Sequence, residues 1–83
     1  MPKPVTVYTT QVCPHCTRAK DLLKRRGIGF KEIDVTNDPK KRKEEEERWG
    51  WMTVPIIVIG DQCIGGADEL HELDRTGKLK DYL

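Results

Sequence analysis

The sequence predicts a single α/β domain in which a four-stranded mixed sheet is flanked by three helices, in the order β-α-β-α-β-β-α. Short runs rich in β-branched residues alternate with segments whose apolar residues recur at helical spacing. Glycine and proline separate these segments from one another. Because 83 residues leave room for only one hydrophobic core, we treat residues 1–83 as one domain.

The first half of the chain predicts a strand, a helix and a second strand. Val5–Thr9 favours β-structure at nearly every position, which is typical of a strand buried on both faces. From Pro14 the apolar residues follow a helical period, and Gly27 is a suitable helix end. Residues 30–35 then alternate between apolar and charged side chains, which indicates a second strand with a more solvated face.

The second half begins with a highly charged helix. Asp38 and Pro39 provide a cap and a first-turn proline for this helix, which ends near Trp49. We interpret its charged run, residues 40–47, as a solvated face, with a docking surface as the alternative. A strand, a hairpin turn, a partner strand and a last helix follow at residues 55–59, 60–61, 62–64 and 67–76.

The composition excludes several classes of partner. Lys plus Arg (15) nearly balances Asp plus Glu (14), which argues against nucleic acid or an anionic membrane as a partner. The longest apolar run, residues 54–59, is far shorter than the ~20 residues that span a membrane. Three cysteines, two of them close together, fit a catalytic or metal-binding pair better than a secreted disulfide framework. We expect a monomeric, cytoplasmic protein.

Cys13 and Cys16 form the motif with the clearest chemistry. They are separated by Pro14 and His15, and the pair follows a strand and opens a helix. Unpaired backbone N–H groups and the positive end of the helix dipole stabilise a thiolate at Cys13. Cys16, one turn inside, is placed to displace the product from a mixed disulfide. Pro14 sets the first-turn geometry, and His15 is interpreted as favouring the charged sulfur.

A zinc site and an inert buried pair are the alternatives for these cysteines. Tetrahedral zinc needs four ligands, but besides Cys13, His15 and Cys16 only Cys63 and His71 remain, without a second paired spacing. We therefore expect no metal. Cys63 is interpreted as a small buried hydrophobic residue, and His71 as a residue facing solvent.

Five stretches carry a resemblance to a known family, at residues 7–9, 13–20, 32–35, 53–55 and 64–70. In their order and spacing the chain resembles the small bacterial glutaredoxins over nearly its entire length. The resemblance implies a thioredoxin-like fold and a glutathione-dependent thiol–disulfide oxidoreductase. Its co-substrate would be glutathione, and its partners would be glutathionylated or disulfide-containing proteins.

The resemblance also implies a glutathione-binding turn before the third strand. Thr53, Val54 and Pro55 match the family segment in which the proline is cis and the turn faces the cysteines. In the family the backbone at the position of Val54 pairs with the cysteinyl part of glutathione, like an added strand.

A second implied contact lies where the last helix begins. Gly66, Ala67 and Asp68 match the family segment that holds the γ-glutamyl end of glutathione. Backbone N–H groups suit its carboxylate, and Asp68 would accept from its ammonium group. Arg48, or a base among residues 40–43, is the candidate for the glycine carboxylate.

The chain departs from the family pattern at two positions, and two rival functions are open to it. His15 replaces the usual tyrosine, and Thr10 stands where the family often has a lysine, so we expect a less reducing protein. The rivals are a redoxin reduced by thioredoxin reductase and a glutathione-ligated [2Fe–2S] carrier that uses Cys13 from two chains. Residues 65–68 favour glutathione over the first rival, and the stiff turn at Pro14 disfavours the second.

Overall fold

A computed structural model describes residues 3–11, 13–52 and 54–83 of the chain. The elements are β1 Val5–Thr9, α1 Pro14–Arg25, β2 Lys31–Asp34, α2 Pro39–Trp49, β3 Ile56–Ile59, β4 Gln62–Gly65, α3 Ala67–Arg75 and a 3-10 helix Leu79–Asp81. This order confirms the predicted β-α-β-α-β-β-α arrangement. The second strand, Lys31–Asp34, is shorter at both ends than the predicted residues 30–35, and Phe30 and Val35 pack against the core from just outside it.

The four strands form one mixed sheet in the order β2-β1-β3-β4. β1 pairs parallel with β2 and antiparallel with β3, and β3 pairs antiparallel with β4. The parallel connection from β1 to β2 passes through α1, as parallel strands require a crossover. β1 therefore lies inside the sheet, and the chain leaves its carboxyl end directly toward the cysteine pair.

The core lies on both faces of this sheet, as the composition of β1 predicted. One face is covered by α1 and α3, and its buried residues are Val5, Val7, Ala19, Leu22, Leu23, Ile57, Ile59, Ala67, Leu70 and Leu79. The other face holds Tyr8, Val35, Ile56 and Val58, with Trp49, Trp51, Val54 and Cys63 packed against them. Alternate residues of β1 and β3 serve opposite faces, which is the period of two that a strand imposes.

Both predicted helix ends of the first two helices are confirmed. Gly27 follows α1 with φ +68°, and Gly50 ends α2 with φ +66°, in the left-handed region that glycine adopts without strain. The Asp38 carboxylate accepts from the Lys41 backbone N–H at 3.0 Å, so the predicted cap is formed.

The predicted solvated face of α2 is wrong at one position. Glu45 is only 3% exposed, and it is the residue that this helix buries. Its carboxylate accepts from Trp49 Nε1 at 2.9 Å and lies 3.3 Å from Lys41 Nζ and 3.6 Å from an Arg48 nitrogen. Burial raises the pKa of Glu45, but the bonds from Trp49 and Lys41 outweigh burial, so the net shift is downward. On the side of α2 that carries Glu45, the charged residues therefore form a network of hydrogen bonds and ion pairs within the protein.

The chain end adds an element that the sequence did not predict. After Gly77, Leu79 is buried against the α1–α3 face, and the 3-10 turn also packs Tyr82 and Leu83 there. Three residues are too few to show a helical period, so nothing in the sequence indicated this 3-10 helix after Gly77. Within the described ranges, no helix combines the length and apolar character needed to cross a membrane.

Candidate functional site

Cys13 is the residue that caps the amino end of α1. Its φ of −149° and ψ of 97° are extended, so its backbone stands just outside the helix. Its sulfur accepts a hydrogen bond from the Cys16 backbone N–H at 3.2 Å. The sulfur thus occupies the place that a serine or aspartate oxygen takes in an ordinary cap. At this position the peptide dipoles of the first turn stabilise negative charge on sulfur.

Cys16 is more deeply buried than Cys13, and its thiol is weakly acidic. Its side chain is 1% exposed, whereas that of Cys13 is partly exposed. Burial, together with the hydrogen bond to Cys13, raises the pKa of the Cys16 thiol to about 12. The thiol of Cys16 is therefore protonated at neutral pH. The pair therefore has one partly exposed sulfur, Cys13, and one buried sulfur, Cys16.

The turn before β3 faces the cysteine pair. The Val54–Pro55 peptide bond is cis, and Pro55 is buried. The Cys13 sulfur lies 3.8 Å from the Val54 carbonyl oxygen. These two observations confirm the cis proline and the facing turn that the resemblance implied. Thr53, the third residue predicted for this turn, lies outside the described residues.

A groove of about 310 Å³ runs from the cis-proline turn to the start of α3. It brings together most of the predicted site residues, which come from three separate parts of the chain. Its lining residues are His15, Trp51, Val54, Pro55, Gly66, Ala67, Asp68 and Glu69. Arg48, the candidate for the glycine carboxylate, is not among these lining residues: its side chain is 66% exposed and pairs with Glu45.

The start of α3 forms one end of the groove. Glu69 accepts from the Gly66 backbone N–H at 3.1 Å, so this N–H is already bound within the protein. The N–H groups left for a ligand are those of the following residues, Ala67 and Asp68, in the first turn. Gly66 therefore does not offer its N–H to a ligand, and what it can contribute to the site is its backbone conformation. The Gly-x-x-Glu spacing of a capping box was the signal that pointed to Glu69, and our sequence reasoning missed it.

Trp51 is a groove residue that the sequence analysis did not assign. Its ring would lie 3.1 Å from a Cβ placed on Gly65 and 3.5 Å from one on Gly66. Gly65 also has φ +115°, so glycine is required there for two reasons. The indole Nε1 is buried and has no hydrogen-bond partner among the residues described. Proximity to the cis proline in sequence was the available signal.

Arg18 links two walls of this groove. One nitrogen of its guanidinium, Nη1, donates to His15 Nδ1 at 3.2 Å and lies 3.6 Å from an Asp68 carboxylate oxygen. The bond to Nδ1 leaves the imidazole proton on Nε2, because arginine has no acceptor. The three side chains join the cysteine motif on α1 to the first turn of α3.

Two further predicted side chains have different outcomes. Cys63 is partly buried on the sheet face opposite α1 and α3, and burial raises the pKa of its thiol, in keeping with a small hydrophobic role. The prediction of a solvent-facing His71 is wrong, because its ring is half-buried and Nε2 has no partner within the described part of the chain. Over the same residues no cluster of three or more potential metal ligands is found.

Two cysteines at a strand-to-helix junction, facing a proline turn on a thioredoxin-like fold, define a thiol–disulfide oxidoreductase. Residues 5–64 match the glutaredoxin family. The chain is 50% identical to a glutaredoxin of Pseudomonas aeruginosa over 76 residues, 92% of this chain and 90% of the relative. It belongs to the glutaredoxin family.

Two other comparisons agree with this assignment. Glutaredoxin 3 of Escherichia coli is 44% identical over 79 residues, 95% of each chain. The crystal structure of a buckwheat glutaredoxin–glutathione complex superposes with a TM-score of 0.90 at 30% identity, covering 98% of this chain and 76% of the other. The thioredoxin-like architecture of a four-stranded mixed sheet with three helices is therefore shared with solved glutaredoxins.

Proposed function

We propose that this glutaredoxin uses glutathione to reduce protein–glutathione mixed disulfides and protein disulfides. One observation carries the proposal: the Cys13 sulfur, 3.8 Å from the Val54 carbonyl, lies beside a groove that ends at Asp68 and the first turn of α3. This arrangement supports a nucleophile acting beside a surface that recognises an extended, charged peptide. The buckwheat relative was solved with glutathione, which supports the same ligand for this groove.

Glutathione would lie along this groove in an extended conformation. Its cysteinyl backbone would pair with the backbone of Val54, so that its sulfur comes near Cys13. The first-turn N–H groups at Ala67 and Asp68 would donate to the γ-glutamyl carboxylate. The Asp68 carboxylate, 78% exposed, would accept from the ammonium group. Arg48 would bind the glycine carboxylate only if its ion pair with Glu45 broke.

The proposed reaction with a glutathionylated protein has two displacements. The Cys13 thiolate attacks the glutathione sulfur, the disulfide breaks, and the protein leaves as a thiolate that takes up a proton. A second glutathione thiolate attacks the glutathione sulfur bound to Cys13. This releases oxidised glutathione and restores the Cys13 thiolate. The net reaction consumes one free glutathione, whose sulfur leaves joined to the glutathione sulfur of the substrate, and the protein sulfur is released as a thiol.

Protein disulfides would be reduced through both cysteines. Cys13 forms a mixed disulfide with the substrate, and Cys16 then attacks the Cys13 sulfur. The raised pKa of Cys16 means that its proton must leave as it attacks, and the departing substrate thiolate is the acceptor. The products are a reduced substrate and a Cys13–Cys16 disulfide, which two glutathiones reduce.

The direct test is reduction of a glutathionylated peptide with two alternative electron sources. We expect turnover with glutathione, NADPH and glutathione reductase, and little with NADPH and thioredoxin reductase. Cys16→Ser should keep the reaction on the glutathionylated peptide but lose most reduction of a protein disulfide. Turnover with thioredoxin reductase alone would replace our proposal with the redoxin alternative.

The [2Fe–2S] alternative has a separate test. Pro14 is the first residue of α1, and its fixed φ keeps the turn beside Cys13 rigid. We expect anaerobically purified protein to lack visible charge-transfer absorbance. A brown protein that forms dimers when glutathione is added would favour cluster carriage. The proposed cycle requires reduced glutathione, so a reducing compartment, with the cytoplasm as our prediction, suits it.

A further inference from the structure

We propose that Arg18, together with Asp68, recognises the charged α-amino acid end of the γ-glutamyl group. The inference rests on the proposed glutathione function and adds a specificity-determining residue to it. Asp68 would accept from the ammonium group, and Arg18 would donate to the carboxylate on the same carbon atom.

The position of Arg18 is the first argument. Its Nη1 lies 3.2 Å from His15 Nδ1 and 3.6 Å from Asp68 Oδ1, and both of these partners line the groove, whereas Arg18 itself lies just outside the lining. The guanidinium therefore lies at the rim where α1 meets α3. The guanidinium and the Asp68 carboxylate lie next to each other, as do the ammonium and carboxylate groups of an α-amino acid. Each charge of the ligand can therefore face a group of opposite charge.

The unused hydrogen-bonding capacity of Arg18 is the second argument. Both contacts use Nη1, and among the described residues Nη2 and Nε have no hydrogen-bond partner. Arginine presents its N–H groups as a planar fork that fits a carboxylate. The bond to His15 limits the motion of this fork, so fewer conformations are lost when a ligand binds.

The looseness of the Arg18–Asp68 pair is the third argument. At 3.6 Å, with side chains 48% and 78% exposed, this pair is longer than a hydrogen bond and contributes little to stability. A zwitterionic ligand can insert between the two charges at small cost. A tightly paired arginine would instead compete with the ammonium group for Asp68.

The test compares three tripeptides as mixed disulfides with one reporter peptide. Glutathione carries both charges, 4-aminobutyryl-Cys-Gly lacks the α-carboxylate, and glutaryl-Cys-Gly lacks the ammonium group. Single-turnover transfer of each tripeptide to Cys13 is followed by mass spectrometry in a Cys16→Ser background. In this background the Cys13 mixed disulfide accumulates, so the measured rate constant reports recognition of the first substrate alone.

We expect Arg18→Gln to slow transfer from glutathione by about three- to tenfold and to leave 4-aminobutyryl-Cys-Gly within about twofold. Arg18→Lys should recover part of the loss, since it keeps the charge without the fork. Any change in the reactivity of the Cys13 thiolate would slow both tripeptides equally and cancel in their ratio. Arg25→Gln, which removes the same charge from an exposed site two turns along α1, is the matched control and should change neither rate.

Two results would overturn the inference. Equal losses with glutathione and with 4-aminobutyryl-Cys-Gly would show that Arg18 acts through His15 or the thiolate. Faster transfer in Arg18→Gln would show that Arg18 obstructs Asp68. If the protein with Arg18 intact transfers all three tripeptides at the same rate, the proposed glutathione function fails together with this inference. The two results above, in contrast, overturn only the role of Arg18.

Discussion

Helices α1 and α2 begin with the same local structure and differ in the chemistry of the capping atom. Each has a proline as its first residue, and in each the preceding side chain accepts the backbone N–H of the third helical residue. The acceptor is the Cys13 sulfur in α1, at 3.2 Å, and an Asp38 oxygen in α2, at 3.0 Å. A carboxylate in this place only stabilises the helix. A sulfur in the same place is stabilised as a nucleophile.

The two helices also differ in what holds them to the sheet. α1 buries four apolar or sulfur-containing side chains, Cys16, Ala19, Leu22 and Leu23. α2 buries a single carboxylate, Glu45, with its hydrogen-bond partners. Burial of apolar surface is the larger stabilising effect, so α1 is the more firmly anchored helix. Cys13, which we propose as the nucleophile, therefore lies at the end of a helix that the core holds in place.

Exchanging the capping atoms should give the largest effect. Cys13→Ser keeps a good capping oxygen, so the free energy of unfolding should change by less than about 1 kcal/mol. Reduction of glutathionylated peptide should nevertheless fall by a factor on the order of 10³ or more, because the nucleophile is gone. Asp38→Ser is the matched substitution in α2 and should leave the reduction rate unchanged. Substantial remaining activity in Cys13→Ser would contradict the assignment of the nucleophile.

Truncation of the α1 core should have the next largest effect. Leu23 is fully buried, so Leu23→Ala should lower the free energy of unfolding by about 2–5 kcal/mol. Its neighbour Lys24 is exposed, and Lys24→Ala should stay within about 0.5 kcal/mol. Urea denaturation followed by circular dichroism measures both. If Leu23→Ala unfolds the chain outright, Leu23→Met tests the same packing more gently, with an expected loss below about 1.5 kcal/mol.

The smallest effect concerns the buried carboxylate of α2, and it should depend on pH. Glu45→Gln keeps an acceptor for Trp49 but removes the charge that faces Lys41, so we expect a loss of about 1–2 kcal/mol at pH 7. Because the pKa of Glu45 is lowered in the folded protein, this stability is present above the unfolded value of about 4.3 and is lost as pH falls through the folded value.

The measurement for Glu45 is urea denaturation of both proteins at pH 7, 5, 4 and 3. The difference between them should be constant from pH 7 to pH 5 and shrink below about pH 4.3. Glu44→Gln removes a charge from an exposed neighbour on α2 and provides the control. A difference that grows toward acid pH would show that Glu45 is protonated in the folded state.

Much of the fold followed from local patterns. The ends of α1 and α2 were predictable because prolines, capping side chains and glycines act within one helical turn. The buried β1 was predictable because β-branched residues fill the run. The burial of Glu45 was not predictable, since a charged residue in a run of charged residues gives no sign of which face meets the sheet. Its partner Trp49 and the neighbouring Tyr8 decide that.

The sequence alone determined which groups are proposed to react and their order: a cysteine that caps a helix after a central strand, with a second cysteine one turn inside. Their spacing is short, so local geometry suffices. Only the tertiary structure decided which distant groups meet them. The 3.8 Å approach of Val54 to Cys13, the contact of Trp51 with Gly65 and Gly66, and the bridge from Arg18 to Asp68 all join separate elements. Such contacts depend on how helices and sheet pack together, and packing is a property of the whole core.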